Sequence, residues 1–284
     1  MKKVLAVFAA VLAISYLTAC SDALSNDNVA KYVASTANAN SQSAGVVNPV
    51  AFKSMMSIYK TMGFTPLGTV TNLDGSITVS EEFSGITMTS TTWTNTYVGG
   101  NVRMRFSFSI NLGTGNGSLG MDTDLTTLFY STNSPSWTQI YITNESYLDG
   151  AYLNAFGIGM FGSISMNVTD KDNKTFSMTG QFGDNLENPF KYFGGGSSLV
   201  VDGSIAYTIT GADIGEAITL YYDYDNLTST EFGGIPSGTV NGYVKQGSKT
   251  VTFTIVFNGT STAVLTVAGK VYNINIALGT YTEA

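Results

Sequence analysis

The chain has 284 residues, a formal net charge of −7 and no histidine. Its acidic balance argues against nucleic acid as a partner, because a phosphate backbone is bound by clustered Lys and Arg, and arginine occurs only at Arg103 and Arg105. The lack of histidine excludes Ser-His and Cys-His catalytic arrangements and histidine-ligated metal sites.

The first 19 residues have the three-part plan of an export signal. Lys2 and Lys3 are followed by an apolar run over 4–14, and small residues lead up to Ala19. The run is shorter than the about 20 apolar residues that a membrane-spanning helix needs. We therefore expect 1–19 to be a cleaved signal peptide and not an anchor.

The leader ends in Leu17-Thr18-Ala19-Cys20, and Cys20 is the only cysteine of the chain. This motif resembles the bacterial lipoprotein signal, in which a branched apolar residue and two small residues precede the cysteine that becomes the new N-terminus. The resemblance implies cleavage between Ala19 and Cys20, diacylglycerol and palmitate on Cys20, and the lipid bilayer as a partner. Ser21, in place of the Asp that retains such proteins in the inner membrane, favours the outer membrane. The alternative is an ordinary signal peptide that contains a cysteine.

Residues 20–47 are mostly Ser, Ala, Asn, Asp and Gln. Such a composition offers little apolar surface to offset the entropy of ordering the chain. We expect 20–47 to be a flexible tether between the lipid and a folded domain.

A helix is predicted over 49–62, at the start of that domain. Asn48 can cap it, Pro49 suits its first position, and Gly63 ends it. One face of this helix carries an apolar stripe that should pack on a sheet. The stripe consists of Phe52, Met55, Met56, Tyr59 and Met62.

The remainder of the chain is predicted to form strands. Apolar and polar residues alternate over 102–111, which predicts a strand with one buried and one solvent-exposed face. Short turns at 170–174 and 246–248 join neighbouring strands, and such close links require antiparallel pairing. The predicted fold is mainly β: a large antiparallel meander over 48–284, barrel-like or formed by two packed sheets, with one short N-terminal helix. A transmembrane barrel is a less favoured alternative, since a lipid anchor would be redundant for it.

An internal duplication is a further alternative, with halves near 67–193 and 197–284. The sequence Asp-Gly-Ser-Ile occurs at 74–77 and again at 202–205, and each copy is expected to open a strand. Asp-Gly turns before strands also arise by chance. The glycine-rich stretch 194–198 would be the boundary between the halves.

Paired carboxylates are the only candidates for catalysis or metal binding. They are Glu81 and Glu82, Asp122 and Asp124, Asp170 and Asp172, and Asp223 and Asp225. A hydrolase would need two of them in one cleft, and a calcium loop would need a glycine and a distal glutamate that 170–173 lacks. We predict no catalytic residue, no metal and no cofactor, and we interpret Arg103 and Arg105 as a surface pair more than an anion site.

Aromatic residues on strands are the best candidates for a binding surface, because rings with polar edges bind sugars and partner proteins. The candidate residues are Trp93, Tyr97, Trp137, Tyr141 and Tyr222. The sequence thus predicts a non-enzymatic binding or structural lipoprotein of the cell envelope, whose partner is an envelope protein, a glycan or an apolar ligand. The alternative is a carrier of lipid or another apolar ligand in a barrel-like cavity. A carboxylate-based hydrolase is the least favoured class.

Overall fold

The computed structural model describes residues 24–43, 65–83, 85–93, 96–98, 101–111, 113, 117–131, 138–140, 157–170, 172–195, 198–211, 214–229 and 236–284. Within them, one helix, α1 (Asn26–Ser43), precedes seventeen strands. The strands are β1 (Thr65–Thr71), β2 (Ile77–Phe83), β3 (Ile86–Thr92), β4 (Thr96–Val98), β5 (Asn101–Asn111), β6 (Ser118–Ser131), β7 (Thr138–Ile140), β8 (Gly157–Thr169), β9 (Thr175–Phe182), β10 (Phe190–Gly195), β11 (Ser198–Gly211), β12 (Ile218–Ser229), β13 (Ser237–Gln246), β14 (Lys249–Asn258), β15 (Thr262–Val267), β16 (Lys270–Asn275) and β17 (Thr280–Glu283).

The protein is mainly β and antiparallel, which confirms the predicted fold class. The chain divides into two compact units. The middle unit, Phe52–Pro189, contains β1–β9, and the terminal unit, Met1–Ala51 with Phe190–Ala284, contains α1 and β10–β17.

The terminal unit is a meander in which each strand from β10 to β17 pairs with the next along the chain. Tight turns set this order: Gln246 and Lys249 pair directly across Gly247 and Ser248, as the sequence predicts. Alternate side chains point to one face and are removed from solvent. The residues of that face with no exposed surface include Leu220, Tyr222, Val244, Leu265 and Ile274.

Helix α1 covers part of this apolar face, on β15–β17. Ser25 caps it, since the Asn28 amide donates to Ser25 Oγ at 3.3 Å. Asp27 in the first turn accepts hydrogen bonds from Tyr272 Oη at 2.7 Å and Lys270 Nζ at 3.1 Å. Among the side chains of α1 that the structure describes, over 26–34, the buried ones are Val29, Ala30, Tyr32, Val33 and Ala34.

The prediction of a flexible tether over 20–47 is therefore wrong for 26–43. Composition alone underestimates the tendency of this segment to form a helix. Its few apolar residues are spaced to fall on one helix face, and the sheet supplies a surface for them. The helix predicted at 49–62 lies outside the described residues, as do Ala19 and Cys20.

In the middle unit the pairing order is β1–β2–β3–β5–β6–β8–β9. The two three-residue strands are side branches: β4 pairs with β5, and β7 pairs with β6. The turn predicted at 170–174 is confirmed, since Thr169 pairs with Thr175 across it.

The predicted boundary at 194–198 is wrong. Gly195 pairs with Ser198, so the glycine-rich stretch lies at the hairpin between β10 and β11, and the units divide between Pro189 and Phe190. The repeated tetrapeptide also has two conformations. Residues 74–76 form the β1–β2 turn, whereas 202–205 lies inside β11, at an irregularity with Gly203 at φ 99°. The expectation that each copy opens a strand fails for the second, and the duplication stays a prediction.

Candidate binding surfaces

An ion-paired group lies on the polar face of the middle unit. Alternation along β5 places Arg103 and Arg105 on this face, and Asp124 lies opposite Arg105 on β6. Both arms of the Arg103 guanidinium donate to the Asp124 carboxylate, with Nε at 2.7 Å from Oδ1, and Arg105 Nε lies 3.5 Å from Oδ2. Hydrogen bonding and charge from Arg103, and charge from Arg105, lower the pKa of Asp124. The arginines therefore hold a carboxylate of the chain itself.

Trp93 adjoins this group at the end of β3. Its backbone amide donates to the carbonyl of Arg105 at 3.2 Å, and its indole Nε1 donates to Asp74 Oδ2 at 2.9 Å. The Arg105 guanidinium carbon lies over the ring, 4.9 Å from its centroid. Trp93 is half-buried and is fixed from both sides. We call Asp74, Trp93, Arg103, Arg105 and Asp124 the Trp93 cluster.

The β1–β2 turn holds the acidic end of the cluster. Asp74 Oδ1 accepts from the Ser76 amide at 3.0 Å and from Ser76 Oγ at 2.7 Å. These bonds and the Trp93 indole lower the pKa of Asp74 to about 2. Asn72 donates to Ser76 Oγ and Thr78 Oγ1, at 2.7 and 2.9 Å. Gly75, at φ 83°, supplies the left-handed residue that this turn requires.

The two carboxyl groups of the Trp93 cluster differ from the general acid of a glycosidase. A glycosidase needs a carboxyl group whose pKa is raised, so that it stays protonated as the general acid. Asp74 and Asp124 both have lowered pKa values. Within the described residues, no group of three or more Asp, Glu or Cys side chains is placed to hold a metal ion.

Tyr222, a predicted surface residue, is fully buried, and that prediction is wrong. On β12 the inward positions are Ile218, Leu220, Tyr222 and Tyr224. The Tyr222 ring packs against Phe253 with centroids 5.4 Å apart. The phase of alternation set by Ile218 and Leu220 carries Tyr222 into the core.

A pair that sequence reasoning missed lies on the opposite, polar face of the same unit. Tyr221 on β12 pairs with Tyr243 on β13, and their rings stack at 4.9 Å with 12° between planes. Both residues are half-buried. Alternation over 239–245 would have placed Tyr243 outward, but its partner is set by strand pairing that the sequence does not reveal.

Small and hydroxyl-bearing residues surround the tyrosine pair. Ala206 on β11 flanks Tyr221, and Thr252 on β14 flanks Tyr243, so these four form one row across the strands. In the next row Thr254 Oγ1 donates to Asn241 Oδ1 at 3.0 Å. Ala206 is the smallest residue of this row, since its side chain ends at Cβ.

The other predicted aromatics do not join these groups in the described residues. Tyr97 lies on β4, where it pairs with Val102, and its side chain is not among those described. Trp137 and Tyr141 lie outside the described residues. Of the five predicted residues, only Trp93 belongs to a described polar and aromatic cluster.

The reverse side of the middle unit is an apolar face that is incompletely buried. On β5, Val102 is buried, whereas the following inward residues are half-buried. Half-buried apolar residues also occur on this face of β6, β8 and β9, together with buried ones such as Leu125 and Met166. We call this set the Phe/Met face: Met104, Phe106, Phe108, Ile110, Leu119, Met121, Ile164, Val168, Phe176 and Met178.

No protein-family model matches this sequence, and neither a curated protein nor a solved structure matches it. Over the described ranges, no helix has both the length and the apolar character needed to cross a membrane.

Proposed function

We propose that this protein is a lipid-anchored protein of the bacterial cell envelope that binds a glycan and has no enzymatic activity. The observation that carries the proposal is the stacked pair of Tyr221 and Tyr243 on a polar face. An aromatic ring offers a flat apolar surface to the C–H side of a sugar, and neighbouring hydroxyl and amide groups can bond its hydroxyls. Asn241, Thr252 and Thr254 provide such groups.

The preferred glycan is uncharged. The net charge of −7 opposes the approach of a polyanion, and the two arginines are engaged with Asp124. The Trp93 cluster is a weaker candidate, because its carboxylate, indole and guanidinium groups are already engaged with one another.

Binding should be tested with full-length protein and beads of three polysaccharides: uncharged starch, uncharged chitin and anionic alginate. We expect retention on an uncharged bead, weakened about 5- to 150-fold by Tyr221→Ala or Tyr243→Ala, since loss of one stacked ring costs about 1–3 kcal/mol in aromatic stacking contacts. Asp225→Ala is the matched control, because Asp225 is an exposed residue of the same strand, four positions after Tyr221. Failure of every bead to retain the protein, or equal retention of all variants, would contradict the glycan proposal.

The anchor is proposed on the motif at Cys20. With two or three acyl chains the protein would be stably held on a membrane, and Ser21 favours the outer membrane. Metabolic labelling with palmitate should mark the wild-type chain and leave Cys20→Ser unlabelled. Labelled Cys20→Ser protein would exclude this anchor.

A carrier of lipid or another apolar ligand is the second candidate function. The half-buried Phe/Met face favours it, because apolar pockets are lined by such side chains. A carrier would retain an apolar molecule after purification, whereas a glycan-binding module would not.

A further inference from the structure

We propose that the polar face of the middle unit is a second glycan-binding surface, which takes an extended, uncharged polysaccharide along three rows of Ser, Thr and Asn side chains. The ligand class is that of the proposed function, on which this inference rests, but the surface lies in a different unit and shares no residue with the tyrosine pair. Three features of the described residues support it: strand register, exposure and lack of charge.

Strand register brings short polar side chains of six strands into three neighbouring rows. In one row, Thr91 on β3 pairs with Thr78 on β2 and with Ser107 on β5, and each row continues over β6, β8 and β9. Alternation places these rows on the face that also carries Arg103 and Arg105. We call this set the hydroxyl face. It consists of every second residue, both ends included, of 78–82, 87–91, 107–111, 118–122, 165–169 and 175–179.

The hydroxyl face is accessible to solvent. Among its residues, all of which the structure describes, none is buried, and Ser109 and Asn167 in the middle row are exposed. The opposite face of the same strands holds Met88 and Met166, which are buried. The sheet thus turns its apolar side to the interior and leaves its hydroxyl side for a partner.

Hydrogen bonds across the strands hold neighbouring hydroxyl groups in place. Thr78 Oγ1 lies 2.7 Å from Thr91 Oγ1, and Ser165 Oγ lies 3.2 Å from Thr179 Oγ1. A hydroxyl group has one donor and two acceptor positions, so a bonded pair keeps one donor and three acceptor positions for a ligand. Because these side chains are already ordered, less conformational entropy is lost when a ligand binds.

The composition of the hydroxyl face argues against three classes of partner. Thirteen of its eighteen residues are Ser or Thr and two are Asn, and the absence of Lys and Arg from it argues against phosphate-bearing ligands. An apolar partner would remove water from the hydroxyl groups without replacing their hydrogen bonds. Protein partners are disfavoured as well, since Ser is depleted at protein–protein interfaces and Ser and Thr seldom dominate their binding energy.

An uncharged polysaccharide matches this surface, because its hydroxyl groups both donate and accept hydrogen bonds. Glu82 and Asp122, the two charged residues of the hydroxyl face, oppose an anionic chain. The six strands span five strand spacings, or about 24 Å. Contacts spread over this width add up along a polymer and are few for a single sugar.

Retention of the full-length protein on starch and chitin beads tests this surface. Ser109→Lys places a long side chain in the middle of the hydroxyl face. Thr92→Lys is the matched control, because Thr92 is exposed on the opposite face of β3. We expect Ser109→Lys to weaken retention about 10-fold, the effect of one or two lost hydrogen bonds, both in the wild-type chain and in Tyr221→Ala. Thr92→Lys should leave retention unchanged.

Competition tests whether the ligand is extended. Retained Tyr221→Ala protein is challenged with the hexasaccharide of the bead polymer, maltohexaose or chitohexaose, or with the corresponding monosaccharide. The hexasaccharide should release the protein, and the monosaccharide at the same mass concentration should not. Equal release by both would overturn the extended surface.

The outcomes separate this inference from the tyrosine site. Asn167→Lys is a second variant in the middle row, and the thermal unfolding midpoint of each variant checks that it is folded. Equal retention of the wild type, Ser109→Lys and Asn167→Lys, with weakened retention of Tyr221→Ala, would overturn this inference alone. Weakened retention of the two lysine variants, with unchanged retention of Tyr221→Ala, would support it and contradict the tyrosine site. Failure of both beads to retain the wild type would overturn both.

Discussion

The terminal and middle units are built from the same kind of antiparallel strand but bury their apolar faces to different extents. In the terminal unit, Leu220, Val244 and Leu265 have no exposed surface. In the middle unit, Met104, Phe106 and Phe108 occupy equivalent alternate positions and are half-buried. Alternation therefore decides on which face of the sheet a residue lies, and the elements packed on that face decide how completely the residue is buried.

The polar faces differ as well. The terminal unit presents a stacked tyrosine pair among hydroxyl and amide groups, and the middle unit presents a tryptophan locked in an ion-paired cluster. The first is a surface that we propose for glycan binding, and its flanking residues are small or hydroxyl-bearing. The second has its hydrogen-bonding groups already engaged with one another.

The largest expected difference in the free energy of unfolding is between Leu→Ala substitutions at two positions, one in each unit. Leu265→Ala removes a completely buried side chain and should cost about 2–5 kcal/mol. Leu119→Ala, on the half-buried face, should cost about 1 kcal/mol, since less apolar surface is lost from the interior. Denaturant unfolding of both variants measures the difference. Equal costs would mean that the two faces are equally buried in solution.

A smaller loss of stability is expected when a glycine of the terminal unit, Gly242, is replaced by alanine. A Cβ at Gly242 would overlap the carbonyl oxygen of Tyr221 and the ring of Phe253. Gly242→Ala should therefore cost about 1–3 kcal/mol through overpacking. Gly68→Ala is the control, since nothing lies within 4 Å of a Cβ there. The denaturation midpoint should fall only for Gly242→Ala, and an unchanged midpoint would contradict the packing described around Phe253.

The attachment of α1 should depend on Asp27. Hydrogen bonds from Tyr272 and Lys270 lower the pKa of Asp27. Its contribution is present above the unfolded pKa of about 3.9 and is lost as pH falls through the lowered value. At neutral pH, Asp27→Asn should speed amide hydrogen exchange in α1 a few-fold without changing exchange in β13 and β14. Lys31→Gln, at an exposed position of the helix, serves as the control.

The smallest effect concerns the acidic end of the Trp93 cluster. Because Ser76 and Trp93 hold the pKa of Asp74 at about 2, its charge persists well below pH 4. In a Trp137→Phe background, Trp93 emission should stay constant from pH 7 to about 4 and change as pH approaches 2. Asp74→Asn should remove that step. A step centred near pH 4 would show that Asp74 is not held as described.

Local patterns predicted the strands and tight turns well, because alternation and turn chemistry act between neighbours in sequence. Helix α1 was underestimated as at most a short turn at 29–33, since its stability comes from a distant sheet and not from its own composition. Tyr222 could have been placed correctly from the phase of Ile218 and Leu220. The stacking of Tyr221 on Tyr243 could not, because it depends on the pairing of β12 with β13, whose register no tight-turn signal in the sequence fixes.

Native mass spectrometry of the full, gently extracted protein tests most directly whether the apolar faces are packed interior and not a binding site for an apolar ligand. The account predicts the mass of the chain with its covalent acyl groups and no non-covalent apolar molecule. A bound lipid that is lost in Phe108→Asp, but retained in Ser107→Asp on the opposite face of the same strand, would contradict it and establish the carrier function.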